Sequence, residues 1–324
     1  GLDDSEAFFA DLASSVPMVA IVAPAAATIS GASILRLNGY LASLGISALF
    51  YVSFGAELTV KSYLEYKQKE KPRCIIAQPC PTLVSFIELY RPELIPYLAP
   101  ADSPMMHTMK MIREYYPQYK DHRIAVISPC YSKRREFDAV GLGDYNVSIK
   151  SLEAHLEKHT VSLASFPERP FDGGRAERAV LFSTPGGLMQ TAERESPGIS
   201  LKTKRIEGHP EVYAYLAHLK KAIEGGNAPL YELIDCLNCE LGCNGGPATN
   251  NRGRHPDDIE SAVEKRRQEC IDYYKRKGLL QTKAAAKKRL SRELQKYWKN
   301  GLYDRSYVDR SSVFKEAVRT PDQE

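Results

Sequence analysis

Short, largely apolar runs alternate with helically spaced segments along the first part of the chain. Residues 16–24, 46–53, 74–77, 123–128 and 179–183 are rich in Val, Ile, Leu and Phe over most of their length, which predicts strands buried on both faces. Between them, residues 33–44, 58–69, 83–89 and 105–115 repeat their apolar positions every three or four residues, which predicts helices packed by one face. Such alternation implies an α/β fold with largely parallel sheets flanked by helices. Three of the strand runs end at proline or cysteine, in Ala23-Pro24, Gln78-Pro79-Cys80 and Ser128-Pro129-Cys130. A fourth ends at Thr184-Pro-Gly-Gly187. Ligands of open α/β sheets bind beyond the carboxyl ends of the strands, so these loops predict one shared site.

The pattern changes near residue 250. Pro256-Asp-Asp opens a helix with proline and acids in its first turn; Ile259, Val263, Cys270 and Tyr274 form its apolar stripe and Gly278 its predicted stop. A second helix is predicted over 282–299, with Leu290, Leu294 and Tyr297 on one face and a solvated basic face opposite. Residues 300–324 read as extended tail or linker. The predicted organisation is a main domain of two lobes over 1–250, with the site between the lobes, and a helical C-terminal extension and linker over 251–324.

The 324 residues are 43% hydrophobic and 26% charged, ordinary for a soluble globular protein. A dispersed net charge of +4 does not suggest a nucleic-acid partner. No apolar run reaches the roughly 18 residues of a membrane span. The acidic start, Gly1-Leu-Asp-Asp-Ser-Glu, lacks the basic opening of a signal peptide, so a cytoplasmic location is expected. Seven cysteines, an odd number in a large non-secreted chain, favour free or metal-bound thiols over disulfides.

Four thiols stand out. Cys80 lies in Ala77-Gln-Pro-Cys-Pro81, Cys130 in Ser128-Pro-Cys-Tyr-Ser-Lys-Arg-Arg-Glu136, and Cys239 and Cys243 in Cys239-Glu-Leu-Gly-Cys-Asn-Gly-Gly-Pro247. The last spacing places two soft ligands on one side of a helical turn, and the glycines after it leave room for a bulky group. Four thiolates suit tetrahedral zinc or a 4Fe-4S cluster. Structural zinc usually draws on two close pairs of ligands, and only one pair here is close, which favours a cluster enclosed between lobes. Cys74 and Cys270 read as core residues. Cys236 forms a CxxC with Cys239 and competes as a ligand. Lys133 reads either as a surface charge or as a donor to an anionic cofactor, with Glu136 in reach at i, i+3. The pair His155 and His159 reads as an exposed helix face. Thr184-Pro-Gly-Gly187 lacks the lysine of a phosphate loop.

At these residues the sequence resembles the H-cluster domain of iron-iron hydrogenases, over about residues 17–250. The family's three cysteine motifs occur in order, at 77–81, 128–136 and 235–246; Phe86-Ile-Glu-Leu-Tyr-Arg-Pro-Glu-Leu94, Ser103-Pro104, Val22-Ala-Pro24 and Phe54-Gly-Ala-Glu-Leu58 match smaller signatures. The resemblance implies a 4Fe-4S cubane held by Cys80, Cys130, Cys239 and Cys243. Cys243 would bridge it to a diiron subsite carrying CO, cyanide and azadithiolate, which is absent without maturation proteins. It further implies that Lys133 donates to a cyanide, and that Ala23, Pro24, Pro104, Met105, Ser128, Pro129, Leu237 and the Gly186-Gly187 loop line the diiron pocket. The implied reaction interconverts H2 with protons and electrons.

The sequence also departs from that family. The proton-relaying cysteine before the first ligand is Pro79, which has no proton to move. The relay glutamates align near Tyr63 and Tyr66 and the relay serine near Ala99. Tyrosine, with a pKa of about 10, is a poor shuttle near neutral pH. Ser128 and Leu237 replace flanking methionines, and Met105 replaces a glutamine. No ferredoxin-like cysteine run is present, so electrons are expected from a redox partner or a missing ferredoxin-like domain. Together the departures resemble the sensory-type branch: low turnover, H2 or redox sensing, a C-terminal PAS-like signalling domain reached through Tyr303-Asp-Arg-Ser-Tyr307, and a chain that is one segment of a longer protein. Two other readings stay open, a non-catalytic 4Fe-4S protein of the assembly-factor type without the diiron subsite, and a four-cysteine zinc protein.

Overall fold

The computed structural model describes residues 2–29, 33–226, 230–276 and 282–316. Two parallel sheets organise the chain. The first has the order β2 (Ala48–Tyr51), β1 (Met18–Val22), β4 (Arg123–Ser128), β5 (Tyr145–Ser148); the second has β3 (Ile75–Ile76), β7 (Leu233–Leu237), β6 (Thr203–Glu207). Around them, in chain order, run α1 (Ser5–Ala13), α2 (Ile34–Ser43), α3 (Val52–Glu70), α4 (Pro81–Tyr90), α5 (Pro104–Tyr115), α6 (Lys133–Val140), α7 (Ile149–Lys158), α8 (Gly187–Glu195), α9 (Glu211–Glu224), α10 (Pro256–Arg276), α11 (Lys283–Lys296) and α12 (Ser311–Glu316). The α/β class expected from the alternation is the fold observed.

The two-sided burial of β1 shows why its sequence is apolar throughout. Met18, Ala20 and Val22 enter the core on one face, while Val19 and Ile21 enter the core on the other. Full burial of each large aliphatic side chain contributes about 1.5–3 kcal/mol. The second sheet repeats the arrangement: Ile75 and Leu233 face one cluster, and Ile76, Ile234 and Cys236 face another.

Two residues of Phe54-Gly-Ala-Glu-Leu58 have clear structural duties. Gly55 lets α3 meet α5, since a Cβ there would lie 2.3 Å from the Pro104 carbonyl oxygen. Glu57, buried at 1% exposure, accepts the backbone N–H groups of Glu177, Arg178 and Ala179 at 2.8, 2.9 and 3.1 Å and pairs with buried Arg194 at 2.8 Å. Burial alone would raise the Glu57 carboxyl, but Arg194 and the N–H groups outweigh it and hold it below its ordinary range. This anchor fixes the turn at residues 177–183.

Three expectations need correction. Residues 179–183 form a 3-10 turn, not a strand, because the Glu57 anchor bends the backbone away from both sheets. Cys239 and Cys243 do not share an α-helical turn; Cys243 sits in the short 3-10 helix Gly242–Gly245, after a bend. Residues 300–316 are not an extended tail. Asp304 bridges antiparallel to Ala101, Tyr303 is buried at 2% exposure, and α12 packs on α4. Gly278 lies outside the described residues. Among the described residues no helix is long and apolar enough to cross a membrane.

Candidate functional site

The carboxyl ends of β1, β4, β3 and β7 face one cavity of about 100 Å³. Beyond β1 stand Ala23 and Pro24. Beyond β4 come Pro129, Cys130 and, at the start of α6, Lys133. Beyond β3 come Pro79 and Cys80, where Pro81 takes the first position of α4, a place that needs no N–H. β7 ends in Leu237 and delivers Asn238 and Cys239. Pro104 and Met105 open α5, whose N-terminal N–H on Met106 is accepted by Ser103 Oγ at 3.5 Å. Phe182 and Ser183 of the 177–183 turn complete the apolar wall with Val52 and Ala56.

Close approach of backbone explains two glycines of the third motif. A Cβ on Gly246 would lie 2.3 Å from the Pro129 carbonyl oxygen, and one on Gly242, at φ +60°, would lie 2.5 Å from that of Ser183. These contacts press the Cys243 turn against the Cys130 loop on one side and against the 177–183 turn on the other.

All four thiols line the cavity, and all seven cysteines of the chain are free thiols. Burial, and then Cys80 and Cys130, push the Cys239 thiol up to about 11. Burial raises Cys243 well above the ordinary thiol value, as do Cys80, Cys239 and Cys130, with Lys133 working the other way. Cys130 is raised by burial and by Cys80, and Lys133 again opposes. Thiols that raise one another in this manner form one electrostatic set, and a cationic metal body that turned them into thiolates would release their protons.

The donor set discriminates between metals. Among the described residues no three His, Cys, Asp or Glu side chains converge closely enough to hold a single metal ion. Tetrahedral zinc needs four ligand atoms within about 2.3 Å of one point. A cubane instead takes its thiolates at four separated corners, and soft thiols around a mostly apolar cavity suit that body. The residues present therefore fit a 4Fe-4S cluster better than zinc.

Lys133 is 6% exposed. Its Nζ donates to the Pro79 carbonyl oxygen at 2.9 Å and to Glu136 Oε2 at 2.7 Å. Glu136 Oε1 in turn accepts from Arg305 at 2.8 Å. The lysine is thus a wall of the cavity and not a surface charge.

The family described as "Iron only hydrogenase large subunit, C-terminal domain" matches residues 16–247. The chain belongs to this hydrogenase family. Solved structures of FeFe hydrogenases share the fold. Two single-residue variants of HydA1 from Chlamydomonas reinhardtii superpose with TM-scores of 0.65 and 0.66 at 21% and 19% identity. A HydA structure described as revealing stepwise H-cluster assembly gives 0.62 at 19%. Each alignment covers 95% of this chain and 99% of the other. No curated protein matches the chain.

Within this hydrogenase domain, most residues expected at the pocket line it: Ala23, Pro24, Pro79, Pro104, Met105, Pro129, Lys133 and Leu237. Three stand back. Ser128 is fully buried in β4, where its Oγ accepts from the Cys130 N–H at 3.1 Å; it shapes the ligand loop from behind. Gly186 and Gly187 are replaced at the wall by Phe182 and Ser183. Gly187 is instead a packing glycine, since a Cβ would fall 1.7 Å from the Leu181 carbonyl oxygen. Cys236 does not line the cavity; it is buried in the core cluster that also holds Ile234 and Cys80, with its sulfur 3.6 Å from the Ala77 carbonyl oxygen. His155 stacks on Phe9 and bonds Tyr40, whereas His159 is exposed at the end of α7, as expected of a helix face.

Tyr63 and Ala99 are both buried and pack in one cluster, with Tyr66 at its margin. The Tyr63 hydroxyl accepts from the Gln78 N–H at 3.2 Å, and burial drives its phenol far above 10. Next to the ligand loops, Asp235 opens the third motif. It is fully buried in β7, and its carboxylate accepts the Met189 N–H at 3.0 Å. Burial pushes it up to about 7, opposed by Met189, with Glu207 raising and Arg205 lowering it from β6.

Proposed function

We propose that this domain binds a 4Fe-4S cubane through Cys80, Cys130, Cys239 and Cys243, joined at Cys243 to a diiron subsite with CO, cyanide and azadithiolate. When bound, that group supplies the chemistry that interconverts H2 with protons and electrons. The chain's own residues hold and enclose it. Ala23, Pro24, Pro104, Met105, Phe182 and Leu237 exclude water, and Lys133 presents a buried cation to an anionic body. Turnover is low, because the position beside Cys80 holds Pro79 and the buried groups behind it are Tyr63 and Ala99. Loss of a general acid-base step typically costs about 10²- to 10⁴-fold. The domain then serves H2 or redox sensing, with an external redox partner, maturation proteins and a C-terminal signalling domain as its partners.

The observation that carries this reading is the meeting of four thiols with Lys133 and an apolar wall at one cavity, and what supports low turnover is Pro79, Tyr63 and Ala99 at the aligned relay positions. The test is infrared spectroscopy after cubane reconstitution and loading with a diiron precursor. CO and cyanide stretches are expected. An intact cubane without them would refute the hydrogenase reading and leave the assembly-factor type of protein.

A further inference from the structure

The residues that line the cavity all lie within the family-matched span, but a segment beyond that span braces the wall from behind. After α11 the chain returns across the molecule as a strap, residues 302–310. Asp102 N donates to Tyr303 O at 2.9 Å, and Arg305 N donates to Pro100 O at 3.3 Å. The Tyr303 ring stacks on buried His107 at 4.5 Å. The Tyr307 hydroxyl donates to Ala101 O at 2.9 Å, and Arg310 N donates to Glu88 O at 2.9 Å. Where the strap passes α6, Arg305 reaches Glu136 at 2.8 Å, with side chains 16% and 4% exposed.

We propose that Arg305 is a positioning residue of the cluster pocket, acting through Glu136 on Lys133. This rests on the proposed cubane. Glu136 gives one carboxylate oxygen to each cation. A carboxylate clamped from both sides has no rotational freedom, so the Lys133 ammonium stays at the cavity wall against the Pro79 carbonyl. The three side chains also carry a formal charge of +1 between them. Without Arg305 the remaining buried pair is neutral. A cubane with four thiolate ligands is anionic, so the strap supplies the unit of positive charge that favours it. Coupling of this kind is reciprocal: if a docked strap strengthens cluster binding, a bound cluster strengthens strap docking by the same factor.

The test uses the full chain reconstituted with the cubane alone, and reads iron release to a chelator and the cubane midpoint potential. Arg305→Gln is expected to release iron about 5-fold faster or more, the usual lower bound for such coupling, and to lower the potential. Arg305→Lys, which keeps the charge, restores most of both. Arg310→Gln loosens the strap at its Glu88 contact (3.7 Å) without touching Glu136, and leaves the potential unchanged. In a Glu136→Gln background, where the clamp on Lys133 is already gone, Arg305→Gln speeds iron release less than it does in the wild-type chain, while the potential still falls with the lost charge. Equal potentials and release rates for Arg305→Gln and Arg310→Gln would overturn the inference alone. A wild-type chain that takes up no cubane would overturn it together with the proposed function.

Discussion

Asp235→Asn offers a quantitative check on the burial beside the ligand loops. Folding lifts this carboxyl from an ordinary 3.8 to about 7. A raised folded value means that the native state keeps a proton that the unfolded chain has already released. The favourable contribution is complete below the unfolded value and is lost as pH rises through about 7. Between pH 5 and pH 8 the loss spans about two pKa units, or roughly 2–3 kcal/mol. Asparagine keeps an oxygen for the Met189 N–H and has nothing to ionise. The variant is therefore expected to gain on wild type by roughly 2–3 kcal/mol as the buffer moves from pH 5 to pH 8. With an unfolding entropy of about 2.1 cal/mol/K per residue over 324 residues, that becomes a relative Tm gain of roughly 4 °C. Thermal unfolding of both proteins in matched buffers measures it, and taking the difference cancels titrations common to both. A Tm difference that is the same at pH 5 and pH 8 would show that Asp235 does not carry a raised pKa and refute the reasoning.

Other consequences are equally direct. Cys236→Ala should leave reconstituted iron content unchanged, whereas Cys239→Ala should lose cubane absorbance, as measured by iron analysis and visible spectra; equal losses would put Cys236 among the ligands. Glu57→Ala removes the acceptor of three backbone N–H groups, while Arg194 keeps Glu177 and Glu195, so denaturant unfolding should show a loss of at least about 1–3 kcal/mol, the cost of a buried donor left unsatisfied. Pro79→Cys by itself should change H2 turnover by less than about 10-fold, below the 10²- to 10⁴-fold typical of an acid-base step, because the other aligned relay positions still hold Ala99 and a Tyr63 phenol raised by burial; dye-coupled H2 assays decide.

The parts of the fold that were legible in the sequence are those whose burial is two-sided. The run at 123–128 coincides with β4, and 16–24 contains β1, because both faces of these strands demand apolar residues. Position along the chain also revealed where the thiol loops emerge. What escaped follows a different rule. β6, Thr-Lys-Arg-Ile-Glu, is an edge strand with mostly half-exposed positions and no apolar run. β7 has its apolar run interrupted by Asp235, a buried carboxyl that a pattern reader takes for a surface residue. The 179–183 run is apolar because it walls a cavity, and short runs do not distinguish a buried turn from a strand. Phe182 and Ser183 at the site were missed for that reason, although Glu57 inside an otherwise apolar stretch was a visible hint of the anchor. The strap escaped because residues 300–310 are mostly polar, and their packing depends on two tyrosines and two ion pairs formed with distant elements.

The contact of Gly246 with Pro129 has a mechanical side. Cys130 is delivered by the four-stranded sheet, Cys80 and Cys239 by the three-stranded one, and the Cys243 turn rests against the junction. A single rigid body bound by all four thiols, as proposed, would therefore be a rivet between the two sheets. Because it binds only when both sheets are formed and aligned, its binding free energy is added to the folded state. With such a body bound as proposed, the two sheets would melt together, and the dimensions of an inorganic core would join the packing of α3 on the second sheet in setting how they are aligned.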